Sequence, residues 1–357
     1  MQTLHLVKAL CEGGYHCVTV CYFEYDYTVV QQFEQTGSRV VCLSAYGRRP
    51  DGIRSTYRFL KSGLKRVIEE YRPKIAHIQY MAPGALPIFI LRKLGIKRII
   101  ATLHTDASQY RSLMMVHMAQ RHLTKAFTCV SQNAESGFFG KSSLFTEGMP
   151  LGRHNHFTIP NCLPAKFEFN KDATDICTRE YTIGVVSGLK EIKGIDMVMP
   201  AFAKVLSSNG HARMIIVGDG PCREMMEQQM REYNISADSV TWAGKQSHRA
   251  ALESMKKMQL VWVPSRGEGF GLTALEAMAN GCVVVASDIG GLRDLVHNDD
   301  NGILIPVGDT DSLAKKSIEL LAAGEMMETM SRKAIENAKQ YTYHKYKETI
   351  LAMYGKI

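Results

Sequence analysis

Residues Pro264–Gly281 read PSRGEGFGLTALEAMANG. They follow an apolar run, Leu260–Pro264, that predicts a strand, pass through a glycine-rich turn, and enter a helical pattern, Leu272–Asn280, that stops at Gly281. Gly267, Gly269 and Gly271 carry no Cβ, so the backbone there can approach a ligand closely. A helix that begins behind them offers unpaired N–H groups and a positive dipole end, a seat for phosphate. Glu268 falls in the loop and Glu276 about one and a half turns inside the helix. Two carboxylates would then flank one cleft, able to accept hydrogen bonds from sugar hydroxyls. Glycine-rich strand–turn–helix units recur in many α/β proteins. The eight-residue spacing of the two glutamates around Gly-Phe-Gly is the specific part.

Outward from this stretch, short apolar runs alternate with amphipathic ones, the pattern of βαβ units on a parallel sheet. The first half predicts strands at His16–Phe23, Val40–Leu43, Ile75–Gln79, Arg98–Leu103 and Ala126–Val130. The second predicts Thr182–Ser187, Met214–Gly218, Val240–Ala243, Leu260–Pro264, Val283–Ser287 and Gly302–Pro306. Helical patterns fall at Ser55–Tyr71, Met197–Leu206, Cys222–Tyr233, His248–Lys257, Leu272–Asn280, Ser312–Ala322 and Glu325–Tyr341. The polar, weakly periodic stretch Pro164–Tyr181 reads as the connection between two doubly wound α/β domains, and 357 residues suffice for both.

Composition narrows the class. With 45% hydrophobic and 22% charged residues, the chain is neither disordered nor fibrous. No apolar run approaches the ~18 to 20 residues that span a bilayer, and the first twenty residues carry no secretory pattern. The nine cysteines include no C-x-x-C pair, which argues against structural zinc and a disulfide framework and for a cytoplasmic location. Net charge is +8, yet residues 1–170 carry +10 and the remainder −2. The basic excess includes Arg54, Arg58, Lys61, Lys65, Arg66 and Arg72, around an apolar stripe of Leu60, Leu64, Val67, Ile68 and Tyr71. A core-facing helix with a solvated basic face accounts for this pattern; so does peripheral contact with anionic phospholipid at the inner face of the membrane, or with a lipid-diphosphate acceptor.

With its E-x7-E spacing, the chain resembles glycosyltransferase family 4, retaining nucleotide-sugar transferases of the GT-B fold. Further motifs carry the resemblance: Ser187–Gly194 (SGLKEIKG), Ile215–Pro221 (IIVGDGP), Ser287–Gly291 (SDIGG) and Asn301–Pro306 (NGILIP) follow in the family's order. In the first half, His77-Ile-Gln-Tyr80, Leu103-His104, Val130-Ser131 and Ile159-Pro-Asn161 hold the places of its acceptor-domain markers. The resemblance implies two Rossmann-like domains facing a cleft: 1–165 on the acceptor side, 166–341 on the donor side, and a tail, 342–357, packed back on the first. It implies that Glu268 bonds the donor sugar, Glu276 the ribose or nearby phosphate region, and the backbone of Phe270, Gly271 and Leu272 the sugar and diphosphate. Lys193 would neutralise the leaving diphosphate, and His104 would face the donor sugar and help position it or steer the departing phosphate. No metal or other cofactor is implied. The partners would be a nucleotide-sugar donor and a glycan or lipid-diphosphate acceptor, in cell-surface polysaccharide synthesis. His77 and Gln79 read as structural residues.

Two departures stand out against that pattern. The family usually places Arg where this chain has Gly188, and Lys190, two residues on, is the candidate to reach the same phosphate. The family also carries a strand and glycine-rich loop ahead of the helical stretch Thr3–Gly14, so the expectation is a sheet without that first strand, from an upstream start or a degraded copy. A competing parse makes Leu4–Val7 the first strand and Gly13-Gly14 its loop. The second functional reading is a catalytically impaired relative that binds sugar nucleotide without transfer. A nicotinamide-binding reading fails because Gly218-Asp-Gly220 runs into Pro221-Cys222-Arg223, without a third glycine. Nucleic acid has only net charge in its favour and is not an expected partner.

Overall fold

The β-branched runs become parallel strands because side chains such as those of Val283–Ser287 can be buried on both faces of a sheet only when helices cover both. The structure is a computed structural model that describes residues 2–23, 25–44, 47–79, 86–110, 112–151, 155–170, 173 and 175–357. It divides into two units, residues 1–165 with 343–357, and residues 166–342.

In the first unit the order is α1 (Gln2–Glu12), β1 (Val18–Cys21), α2 (Tyr27–Glu34), β2 (Arg39–Cys42), α3 (Ile53–Tyr71), β3 (Ile75–Gln79), α4 (Leu86–Lys93), β4 (Arg98–Leu103), α5 (Met114–Met118), β5 (Ala126–Cys129), α6 (Gln132–Phe139) and β6 (His156–Thr158). The second runs β7 (Tyr181–Val186), α7 (Val198–Ser208), β8 (Met214–Val217), α8 (Arg223–Glu232), β9 (Val240–Gly244), α9 (His248–Met255), β10 (Met258–Val263), α10 (Leu272–Ala279), β11 (Val283–Ser287), α11 (Leu292–Leu295), β12 (Gly302–Ile305), α12 (Thr310–Ala322) and α13 (Gly324–Ala338). Helix α14 (Tyr343–Gly355) returns to the first unit.

The second unit holds one parallel six-stranded sheet, ordered β12-β11-β10-β7-β8-β9. Its first strand, β7, lies at the centre, paired with β8 on one side and β10 on the other. The core of one face joins Ile183, Trp262 and Val285 from the sheet to Phe202 and Val205 of α7 and Leu313 of α12. The C-terminal ends of β7 and β10 therefore sit side by side, at the point where strand order reverses.

The first unit differs in the way the sequence expects. Its strands form two parallel sheets, β1-β2 and β3-β4-β5-β6, and no described strand pairs with the facing edges of β1 and β3. The helical layers nevertheless run over both. Val18, Val20 and Val41 pack into the cluster of Leu60 and Leu64 of α3, Ile78 of β3 and Leu103 of β4. On the other face, Leu6 and Leu10 of α1 meet Ile350 and Met353 of α14 and Ile100 of β4. Leu4–Val7 lies inside α1, which overturns the parse that made it a strand.

Sequence periodicity missed α2, α4, α5, α6, α11 and β6. Helix α5 spans five residues and α11 four, too short for a helical period to separate from chance; α2 buries only Phe33; and β6 is three residues long. Strand β6 is held by a buried carboxylate: Glu135 of α6 accepts from His156 Nδ1 at 2.7 Å, Thr158 Oγ1 at 2.7 Å and the Ser143 amide at 3.1 Å. All nine cysteines are free thiols.

Candidate functional site

Two loops of the second unit converge, Ser187–Gly194 after β7 and Pro264–Gly271 after β10, and the glycines of the quoted motifs allow it. Gly194 has φ +64°, and a Cβ there would stand 1.9 Å from the carbonyl oxygen of Pro264. Gly291, in the turn after β11, would bring a Cβ within 2.4 Å of the Phe270 Cα. Side chains at either position would push the loops apart.

Polar contacts then lock the loops together. The Arg266 amide donates to Ile192 O at 2.8 Å, and its guanidinium binds both carboxylate oxygens of Asp196, at 2.6 and 2.7 Å, and Glu191 O at 3.0 Å. This fork holds the Asp196 carboxyl below the usual carboxylate range. Lys193 Nζ lies 2.6 Å from Glu268 Oε2. A small cavity opens between the loops, lined by Ser187, Lys193, Ser265, Glu268 and Thr273. Phe270 is buried against Tyr341, and Gly271 is the N-cap of α10, whose first amides have no partner within the helix.

Glu276 lies deeper in α10, and its Oε1 accepts from His248 Nε2 at 2.7 Å. His248 opens α9, whose N-cap is Ser247. The hydrogen bond to Glu276 raises the imidazole pKa above its ordinary value, against the opposing effect of burial. Sequence reading missed this residue. His248 and Glu276 are 28 positions apart and meet because α9 and α10 are neighbours.

Gly188 leaves space on its side-chain face: the nearest atom to a Cβ there is Lys190 Cε, at 4.0 Å. Lys190 itself is exposed.

His104 belongs to the first unit, just after β4. Its Nε2 donates to Gln79 Oε1 at 2.8 Å, which fixes the ring, and burial pushes its pKa down to about 4. His77 is structural: Nδ1 faces the Tyr354 hydroxyl at 2.8 Å and Nε2 the Thr102 hydroxyl at 2.7 Å, with Thr128 Oγ1 a further 2.6 Å on. Burial holds its pKa near 3. Gln79, also read as structural, is the partner that holds the His104 ring. Ser131 caps α6 through the Ala134 amide, and Tyr80 lies outside the described residues. Among the described residues, no three His, Cys, Asp or Glu side chains gather as a metal-ligand set.

Family comparisons cover both units. The family model "Glycosyl transferases group 1" matches residues 166–340, and "Glycosyltransferase Family 4" matches residues 1–136. The chain is 29% identical over 314 residues to an N-acetyl-alpha-D-glucosaminyl L-malate synthase of Bacillus anthracis, covering 84% of this chain and 77% of that protein. It is 29% identical over 278 residues to a D-inositol 3-phosphate glycosyltransferase of Segniliparus rotundus, covering 77% of this chain and 57% of that one. Among solved structures, the sucrose-phosphate synthase of Thermosynechococcus elongatus superposes with a TM-score of 0.77 at 21% identity, over 98% of this chain and 91% of the other. HepE of Anabaena, solved with UDP and glucose, gives 0.77 at 18% identity over 99% and 95%.

Proposed function

Because this chain belongs to glycosyltransferase family 4, with GT-B architecture and transfer from a nucleotide sugar, we propose that it is a retaining, metal-independent hexosyltransferase acting on a glycan or lipid-linked acceptor in cell-surface polysaccharide synthesis. The observation that carries this reading is the Lys193–Glu268 pair, 2.6 Å apart, at the mouth of the turn into α10. A cation and a helix N-terminus there face charge that grows on a departing diphosphate, where fixed positive groups lower a barrier most. Glu268 then accepts from the donor sugar and Glu276 from the ribose, while the amides of Phe270–Leu272 hold sugar and diphosphate. Attack on the face from which the diphosphate leaves retains configuration. His104, neutral and held by Gln79, serves as a hydrogen-bonding group toward the donor sugar rather than as a cation.

The first unit supports an anionic acceptor or a peripheral, cytoplasmic site at the inner membrane face. Along α3 the side chains of Arg54, Arg58, Lys61, Lys65 and Arg66 are all exposed, and Ile53 at its start is 75% exposed. No helix among the described residues is long and apolar enough to cross a membrane. Two of the similar proteins are named for L-malate and D-inositol 3-phosphate, themselves anions.

Incubation with UDP-, GDP- and ADP-sugars, read as released nucleoside diphosphate, tests the reading. Turnover with one base class supports it. Nucleotide binding without turnover favours the impaired relative, a reading that Gly188 keeps open by removing the usual guanidinium. Absence of both binding and turnover overturns it.

A further inference from the structure

The contact between His248 and Glu276 has no counterpart among the motifs that suggest nucleotide-sugar transfer. Glu276 stands on α10 with its side chain largely covered, 14% exposed, and His248 on α9 is 31% exposed. A carboxylate in such a place can rotate about its own torsions unless something fixes it, and a hydroxyl-binding group that rotates binds weakly. His248 supplies that restraint from a rigid position. It is the first residue of a helix whose preceding Ser247 accepts the Ala250 amide at 3.2 Å. The turn ahead of it is fastened too, since Gly244 O accepts the Gly218 amide at 2.8 Å and Gln246 Oε1 accepts from Ser254 Oγ at 3.2 Å.

We infer that His248 is a positioning residue for ribose recognition: by donating Nε2–H to Glu276 Oε1, it presents Oε2 to the vicinal ribose hydroxyls of the nucleotide donor. This rests on the proposed role of Glu276 at the ribose. The division of labour follows from the carboxylate's capacity, since each oxygen accepts up to two hydrogen bonds and one is engaged by the imidazole. The hydrogen bond to Glu276 raises the His248 pKa, so the imidazole keeps the proton that it donates.

Binding of a ribonucleoside diphosphate and its 2′,3′-dideoxy counterpart, compared calorimetrically in the wild type, His248→Gln and Glu276→Gln, isolates the effect. Hydrogen bonds to a charged group predict that the wild type favours the ribonucleotide by about tenfold or more. In His248→Gln that preference should fall to within about threefold, with binding of the dideoxy compound nearly unchanged, a pattern that general unfolding or loosening would not give. If His248→Gln keeps the wild-type preference while Glu276→Gln loses it, the ribose role of Glu276 stands and the positioning role is overturned. A wild type that binds neither compound, or both equally, overturns the ribose reading itself and this inference with it.

Discussion

Lys193 Nζ and Glu268 Oε2 stand 2.6 Å apart, joining the loop after β7 to the loop after β10. Half of the pair sits on each side of the cavity at the strand ends. At 31% and 18% side-chain exposure it is partly solvated, so its share of fold stability is at most about 1 kcal/mol. In the proposed mechanism its larger effect falls on transfer. Lys193→Ala should lower kcat about 10²- to 10³-fold, as expected when one fixed positive group is withdrawn from a developing oxyanion. Its melting midpoint should shift by only a few degrees. Steady-state kinetics beside a thermal melt check this; an unchanged kcat would remove Lys193 from the chemistry.

Lys190 and Gly188 form a second test. If the Lys190 ammonium answers for the missing guanidinium, Lys190→Ala should weaken nucleoside diphosphate binding about tenfold, the lower range for a hydrogen bond to a charged group. Gly188→Arg should strengthen it, because the open space beside Gly188 accommodates a side chain. Unchanged affinity in Lys190→Ala would show that the diphosphate is held without it.

Gly194→Ala probes the loop packing directly. The left-handed backbone and the 1.9 Å clash with Pro264 O act together, so a loss of at least about 2 kcal/mol is expected. The melting midpoint of the second unit should drop by ~5 °C or more, with the nucleotide-induced shift lost as well. A normal melt with normal binding would mean the loops can separate freely.

Acidification should act on the two units in opposite senses. His77 and His104 are held near 3 and 4 in the fold, below the ~6.5 of an unfolded chain, so the unfolded chain takes up protons first. Their destabilising effect is absent above about pH 6.5 and grows as pH falls toward 4. His248 has a raised value. Its stabilising share is complete below about pH 6.5 and is lost as pH climbs through that raised value. Scanning calorimetry from pH 8 to pH 4.5 should show the first unit weakening on the acid side, and His104→Gln should flatten that limb. Glu276→Gln should flatten the alkaline limb of the second.

The α3 face can be tested without knowing the acceptor. Sedimentation with phosphatidylglycerol vesicles should capture the protein at low salt and release it at high salt. At about 1 kcal/mol per basic side chain, the triple change Arg58→Glu, Lys61→Glu, Lys65→Glu should reduce binding more than 100-fold. Equal binding by the triple variant would assign the basic face to solvent.

How much of this was legible beforehand depended on whether the signal was local. Strands β3, β4 and β11 lie where their apolar runs predict, residue for residue, and β4 and β11 are buried along nearly their whole length. The glutamates at 268 and 276, and the glycines around them, announce the turn and helix that follow strand β10. Contacts formed through space left no such trace. Arg266 meets Asp196 across 70 positions, and His248 meets Glu276 across 28, each by way of a strand order that no short window encodes. The contact of Gln79 with His104 is of the same kind, since His104 lies at the end of the neighbouring strand. Helix α2, sequence YTVVQQFE, buries only Phe33 and so shows no apolar stripe to detect.

Helix α14 has a consequence in time. Its Ile350, Met353 and Tyr354 cover the face that α1 and β4 present, yet the ribosome makes them only after the whole of the second unit. At about 5 to 20 residues per second, Leu6 and Leu10 wait roughly twenty to seventy seconds for that cover. During synthesis the second unit can therefore close its core before the first has finished its own, and the half that emerges first is the half that depends longest on being kept from aggregating.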